Sequence, residues 1–341
     1  MSGLTNLIKS FGLMLWNNKM KIAMIPLIAI ALVPFLFPYG DLRSVVATTL
    51  SSRIGGGVAI DFDHIALSFG FPVALELQNV EVEAPGMPLL AADRLVARPS
   101  LASIVSRSPS GSVEAEGFYK GNLNASLSTG SKAKDSELPR QDIKAEIAGL
   151  QLAALTEALR RVGIMNFSVQ GTLDSNTNMS IDPDFKEQPS GDLYIQAKSL
   201  SIPSASIQLP MPGMAPMQTP SLQLGQVEFK GRAAEGKIQI EDFTFGQGKD
   251  ALSGRVRGEL GMSFQKVEGR VRPIPGAFDL KVELSVSKPL MDSLSKSGLG
   301  IGLMLVEKFR KDVGDTAKYA FRVSAPAFGV NPTYRELSSA P

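Results

Sequence analysis

Cysteine is missing from all 341 residues, and histidine and tryptophan occur once each. The first absence excludes disulfides, thiol catalysis and cysteine-ligated zinc or iron–sulfur sites. The second excludes multi-histidine metal centres and leaves His64 without partners for a nucleophilic triad. Charge of one sign is also missing. Thirty-five basic and 33 acidic residues leave a net charge of +2, and no basic stripe interleaved with aromatics marks a nucleic-acid partner. Aromatic residues make up only 7% of the chain, so few bulky groups are available to fill a wide interior. With 20% charged and 44% hydrophobic residues the composition still matches ordinary folded proteins and excludes disorder for most of the chain. A chain of this length can be stable through packing and sheet hydrogen bonds alone.

One stretch lacks charge altogether. Ile22 to Tyr39 runs without an ionisable acid or base. As a helix it reaches about 27 Å, close to the roughly 30 Å of a bilayer's hydrocarbon core. Pro26, Pro34 and Pro38 fall inside it or at its end, where membrane helices tolerate proline. Trp16 and Tyr39 flank it at headgroup depth. Lys9, Lys19 and Lys21 precede it without any acid before Asp41, and Arg43 and Arg53 follow. This balance favours a cytoplasmic N-terminus. A cleaved signal peptide is the rival, but no small-x-small cleavage site follows Phe37. The expected layout is residues 1–21 cytoplasmic, 22–39 spanning a bacterial inner membrane, and 40–341 a β-rich periplasmic domain.

After the span, Leu42, Val45, Val46, Thr49 and Leu50 recur at helical spacing, and Gly55, Gly56 and Gly57 end that helix. From Val58 the period becomes two. Val58, Ile60 and Phe62 alternate with small or acidic neighbours, then Ile65, Leu67, Phe69 and Phe71, then Val73, Leu75 and Leu77, then Val80 and Val82. The same alternation returns at Leu123–Leu127, Ile143–Ile147, Met165–Val169, Leu193–Ala197, Val227–Phe229, Ile238–Phe245 and Leu260–Phe264. Its cleanest run is Phe278, Leu280, Val282, Leu284 and Val286. Such regularity predicts a sheet with one apolar and one wet face. Helical spacing is confined to Leu152–Val162 and to Leu290–Asp312, the latter broken by glycines near 297–302. Ser128–Arg140 and the proline-rich Pro203–Pro220 read as loops. Roughly fifteen strands with few helices to cover them must cover themselves. The predicted fold is mainly β, an elongated, curled antiparallel sheet with a few short helices. Its apolar face would be a groove lined by Ile60, Phe62, Leu67, Phe69, Phe278, Leu280, Val282 and Leu284.

Chemistry-bearing motifs are decoys. Gly231 to Lys237 has the spacing of a phosphate-binding loop, but Ile238 replaces the magnesium-binding hydroxyl and the residues after it alternate as a strand, so this is a turn. Gly298, Gly300 and Gly302 follow no strand and lack the dinucleotide spacing. Met211, Met214 and Met217 could hold Cu(I), but they sit in a proline-rich segment without histidine or cysteine, where packing is the simpler role. Glu114 and Glu116, like Asp61 and Asp63 beside His64, read as the wet face of strands. No catalytic, metal or cofactor residue is assigned, and an enzyme is not expected.

Three segments carry a family likeness. Ile65-Ala-Leu-Ser-Phe through Leu75-Glu-Leu-Gln-Asn-Val-Glu-Val is followed by Leu90-Ala-Ala-Asp-Arg-Leu-Val-Ala-Arg-Pro-Ser-Leu. With the anchor before them they resemble the opening of AsmA-like proteins, and especially the type II secretion system protein N family (GspN). Pro220-Ser-Leu-Gln-Leu-Gly-Gln-Val-Glu-Phe-Lys-Gly, Glu235-Gly-Lys-Ile-Gln-Ile-Glu-Asp-Phe-Thr-Phe and Lys318-Tyr-Ala-Phe-Arg-Val-Ser-Ala-Pro are similar to later hairpins of that family, although Ser324-Ala325 replaces its usual glycine-containing ending. The resemblance covers most of the chain and carries no catalytic signature. It implies an accessory inner-membrane component of type II protein secretion, with other secretion components as partners. Through its AsmA-like relatives it also implies binding or transfer of phospholipid or another acyl lipid.

Overall fold

A computed structural model describes residues 43–54, 57–68, 72–85, 87–100, 110–132, 138–207, 217–248, 250–267, 270–296 and 301–337. The expected span at 22–39 and Phe69 lie outside the described residues, as do Met211 and Met214. Among the described residues no helix is long and apolar enough to cross a membrane.

The chain is mainly β. A helix, α1 (Arg43–Ile54), leads into β1 (Ala59–Asp61) and β2 (His64–Ser68), which share one edge of β3 (Ala74–Glu83). An antiparallel meander follows through β4 (Leu90–Pro99), β5 (Gly111–Phe118), β6 (Gly121–Lys132) and β7 (Pro139–Gln151). Helix α2 (Leu152–Arg161) interrupts it, and β8 (Gln170–Ile181) and β9 (Ser190–Ile202) resume it. A side hairpin of β10 (Ala205–Ile207) and β11 (Met217–Thr219) stands apart as its own two-stranded sheet. The meander continues with β12 (Leu222–Ala234), β13 (Lys237–Phe245), β14 (Leu252–Val267) and β15 (Arg270–Ser287). After α3 (Lys288–Lys296), a single helical turn at Ile301–Met304 and a 3₁₀ turn at Glu307–Phe309, the short strands β16 (Arg310–Val313) and β18 (Thr333–Glu336) flank the outer edge of β17 (Thr316–Ala325).

The result is one antiparallel sheet of sixteen strands. It is long as expected, but not strongly curled. Extensive strand contacts join ladder neighbours only, with a slight contact of β12 and β14 as the exception. The sheet therefore does not fold back on itself into a sandwich.

Among the described residues covering comes from α1, α2 and α3 instead, which sit at the same strand ends. Val46 and Ala47 of α1 pack on Phe62, Ile65, Leu77 and Val80. Leu155 and Ala158 of α2 pack on Tyr119, Leu150 and Ala197. Leu290, Met291 and Leu294 of α3 pack with Val286, Ala317 and Tyr319. In α2 the apolar stripe faces the sheet while Arg160 and Arg161 close its C-terminal turn, where cations favour the helix dipole.

Three sequence expectations are corrected. Met165–Val169 is not a strand: the Val169 amide and carbonyl both lie 3.4 Å from the Thr156 hydroxyl, so this backbone is tied to α2. Helix does not continue to Asp312, because Arg310–Val313 pairs with Thr316–Tyr319 across a turn at Gly314, whose φ of 61° suits glycine. The loop at Ser128–Arg140 is shorter than read, since Ser128 and Thr129 still pair with Asp142 and Gln141.

One local device recurs. In β3, β5, β7 and β9 the apolar residues step by three instead of two: Leu77 to Val80, Ala115 to Phe118, Ile147 to Leu150 and Ala197 to Leu200. Each step holds a residue of positive φ, respectively Asn79, Gly117, Gly149 and Ser199. In β5, β7 and β9 the ladder register shifts at the step, as a bulge that inserts one residue and resets the phase does, whereas β3 and β4 keep their register across it.

Candidate functional site

Cross-strand partners share a face, so the ladder registers read out each face row by row. One row runs Ile65, Leu77, Leu95, Ala115, Leu123, Ile147, Ser175, Ile195, Phe229, Phe243, Val256, Val282, Phe321. Twelve of these thirteen are apolar, and the Ser175 hydroxyl is satisfied by the Tyr194 carbonyl at 3.1 Å. At about 4.8 Å per strand the row extends about 58 Å. The next row on the same face reads Leu67, Leu75, Ala97, Val113, Ala125, Ala145, Thr177, Leu193, Gly231, Ile240, Gly258, Leu280, Val323.

Burial distinguishes the ends of this face from its middle. Ile65, Leu77 and Phe321 are core residues under the helices. From Leu123 to Val282 the row is half-buried on every strand; Ile147 and Val282 border the clusters beneath α2 and α3, and among the described residues no element packs over the rest of it. A hollow of about 700 Å³ opens on this face over Leu75, Ala97, Val113, Ala125, Leu127 and Ile143. Farther along, Phe243 lies 6.2 Å from Phe229 and 5.5 Å from Phe245, ring centre to ring centre.

The opposite face is polar. One residue over, the row becomes Arg98, Ser112, Ser126, Lys144, Asn178, Asp192, Arg232, Gln239, Glu259, Asp279, Ser324. Its charges pair across strands. Arg94 bonds Glu76 at 2.8 Å and Glu116 at 3.2 Å, and Arg98 bonds Glu114 at 2.5 Å. Arg255 meets Asp242 at 2.5 Å, and Arg322 meets Asp279. Hydrogen bonds from these arginines hold the carboxyls of Glu76, Glu114, Asp242 and Asp279 below the usual carboxylate range. Glu114 and Glu116 are thus partners of arginine.

The residues expected to line a groove are distributed unevenly. Leu67, Phe278, Leu280 and Val282 lie on the apolar face and are half-buried. Leu67 and Leu280 belong to the same row but stand about 53 Å apart at 4.8 Å per strand. Val282 and Leu284 pack on the core beneath α3, and Ile60 on the core beneath α1. Phe62, 1% exposed, is itself a core residue. The middle of the face, from Ala97 and Val113 to Ile195, Phe229 and Phe243, was not singled out in the sequence. Its signal was there in the repeated alternations, but only the ladder register aligns them.

The decoys resolve locally. Glu235 and Gly236, both at positive φ, form the tight β12–β13 turn in place of a phosphate loop. His64, Asp61 and Asp63 are exposed, and Arg43 bonds Asp61 at 2.9 Å. Among the described residues no cluster of histidine, aspartate or glutamate could hold a metal ion. No family model, curated protein or solved structure matches the chain.

Proposed function

We propose that this protein is a membrane-anchored lipid-binding protein of the bacterial envelope, in which the apolar face of the sheet serves as a shallow trough for acyl chains. One observation carries the reading: the half-buried apolar row that continues from Leu123 to Val282, over most of which no element among the described residues packs. A long contiguous apolar face left partly open to solvent is a candidate ligand or partner surface. The row is chemically suited to acyl chains, since its one hydroxyl bonds the Tyr194 carbonyl and, among the described residues, no cluster could hold a metal ion. In this reading residues 22–39 span the inner membrane, residues 1–21 are cytoplasmic, and the sheet lies in the periplasm. The protein is not an enzyme, needs no cofactor and does not bind nucleic acid.

Mass spectrometry of the full chain purified in mild detergent tests the reading. Phospholipid or fatty acid should co-purify in defined stoichiometry and be lost from Ile195→Asp and Phe229→Asp variants that stay folded. Lipid bound equally by these variants, or by none including the wild type, would reject the trough. Co-purification of secretion components in place of lipid would favour the accessory role in type II secretion that the family resemblance implies. A reporter that functions only outside the cytoplasm, fused after Pro341, should be active; a cytoplasm-only reporter active there would sink the topology.

A further inference from the structure

The loop joining β8 to β9, residues 182–189, is tied down from within and from both sides. Inside it, the fully buried Asp182 carboxylate accepts the amides of Asp184, Lys186 and Glu187 at 3.0–3.1 Å. On one flank Arg140 of β7 donates to Glu187 at 2.5 Å and to the Ser190 hydroxyl at 3.1 Å. On the other flank the loop reaches β14. The Gln188 amide nitrogen donates to the Phe264 carbonyl at 3.0 Å, and its oxygen accepts the Phe264 amide at 2.7 Å. Lys266 adds a bond to the Pro183 carbonyl at 3.3 Å and an ion pair with Asp184 at 3.5 Å. The loop therefore runs from β7 to β14 past the ends of β9, β12 and β13.

It also reaches the apolar face. Phe264 shares the face of Leu260 and Met262, because the register shift between those two places its extra residue in β15 and leaves β14 stepping by two. The ring of Phe185 lies 6.4 Å from that of Phe264, and Phe185 holds a φ of 53° that a bulky residue rarely adopts. Ala233, on the same face beside the loop, is 9% exposed, whereas the middle of the face is half-buried. The two anchorages differ in kind. At β7 the loop continues from a ladder neighbour, but at β14 it is held by side-chain bonds of Gln188 and Lys266 between residues 76 to 83 apart.

We propose that residues 182–189 form a latch on the trough. With Gln188 seated on Phe264, the loop holds the rim over β8–β14 closed against a bound acyl chain; with Gln188 released, that rim opens and the chain can exchange. The proposal rests on the trough reading. It assigns Gln188 and Phe185 as positioning residues for ligand retention.

The test uses the full chain in nanodiscs, a fluorescent palmitoyl-chain fatty acid as probe, and amide hydrogen exchange. Gln188→Ala removes both bonds to Phe264, so exchange across residues 262–267 should accelerate about tenfold or more. Release of the probe should accelerate by a comparable factor. Phe185→Ala, which leaves the Gln188 bonds in place, should speed release with little change in exchange at 262–267. If Gln188→Ala speeds exchange but not release, the loop is only a brace and the latch is overturned. Unchanged exchange overturns it as well, because the bonds would then hold nothing. A wild-type protein that takes up no probe defeats the trough reading itself, and the latch with it, whereas wild-type uptake with unaltered release from both variants defeats the latch alone.

Discussion

Phe62 and Leu280 occupy similar alternating segments in the sequence, but the folded chain gives them different work. Phe62 is sealed beneath α1, while Leu280 is half-buried on a face that no element among the described residues packs over. Phe62→Ala should therefore cost about 3–5 kcal/mol in thermal or denaturant melts. Leu280→Asp should leave the melting temperature within a few degrees of wild type and lower bound lipid instead; a collapse of stability would place that face in a packed core. Charge on the other face makes a second, pH-dependent prediction. Glu76, Glu114, Asp242 and Asp279 titrate lower in the folded chain than in the unfolded one, chiefly through hydrogen bonds from Arg94, Arg98, Arg255 and Arg322. Above the unfolded carboxylate pKa values, near pH 4, that stabilisation is fully present. It is lost as pH falls through the lower folded values, where the unfolded chain binds protons first. Melting temperature should be flat from about pH 7 to 5 and decline below about pH 4, less steeply in high salt because the pairs are exposed. A midpoint unmoved at pH 3 would show that the pairs contribute nothing.

Among the elements, the bulges set how the strands meet the helices. At Gly117 the φ is 74°, and an added Cβ would fall within 3 Å of the Asp93 carboxylate. Gly117→Ala should cost about 1–2 kcal/mol from the left-handed backbone alone, and more from the contact. Chemical denaturation measures this; a neutral substitution would mean the bulge relaxes freely. These same bulges mark where sequence reading stopped. Strand identity was legible because alternation such as Phe278–Val286 has one simple cause, a half-buried pleat. The skip from Leu77 to Val80 was visible too, but without strand pairing a skipped residue looks like a gap between strands. Helices α1 and α2 were legible from spacing, and α1 also from the glycines that follow it. The strand at Arg310–Val313 was not, because its residues are held by pairing with β17 and not by a pattern of their own. Likewise Val169 alternates with Phe167 and Met165, yet a tertiary bond to Thr156 claims its backbone. Of the candidate site, the ends were found and the middle missed, since the depth of each residue depends on which helix lies over it.

At the scale of the molecule, both margins of the sheet are blunted in the same way. Two short strands, β1 and β2, cover one edge, and β16 and β18 cover the other, with Arg310, Lys311, Asp312, Arg335 and Glu336 among the latter. Short, charged edges discourage pairing with another chain. Between these margins each strand answers mainly to its two neighbours, so the sheet behaves as a one-dimensional stack whose parts are nearly independent. The number of hairpins is then a ruler. Because removing one hairpin takes out two strands, the remaining apolar rows should rejoin in phase, and each hairpin accounts for about 9–10 Å. Excising β5 and β6 so that β4 meets β7 should yield a folded protein shortened by one such division, as small-angle scattering can measure, whereas removing a single strand should reverse the direction of all that follow and fail to fold. Reach across a compartment would thus be a quantity this architecture can change in fixed increments, by gaining or losing hairpins between two finished ends.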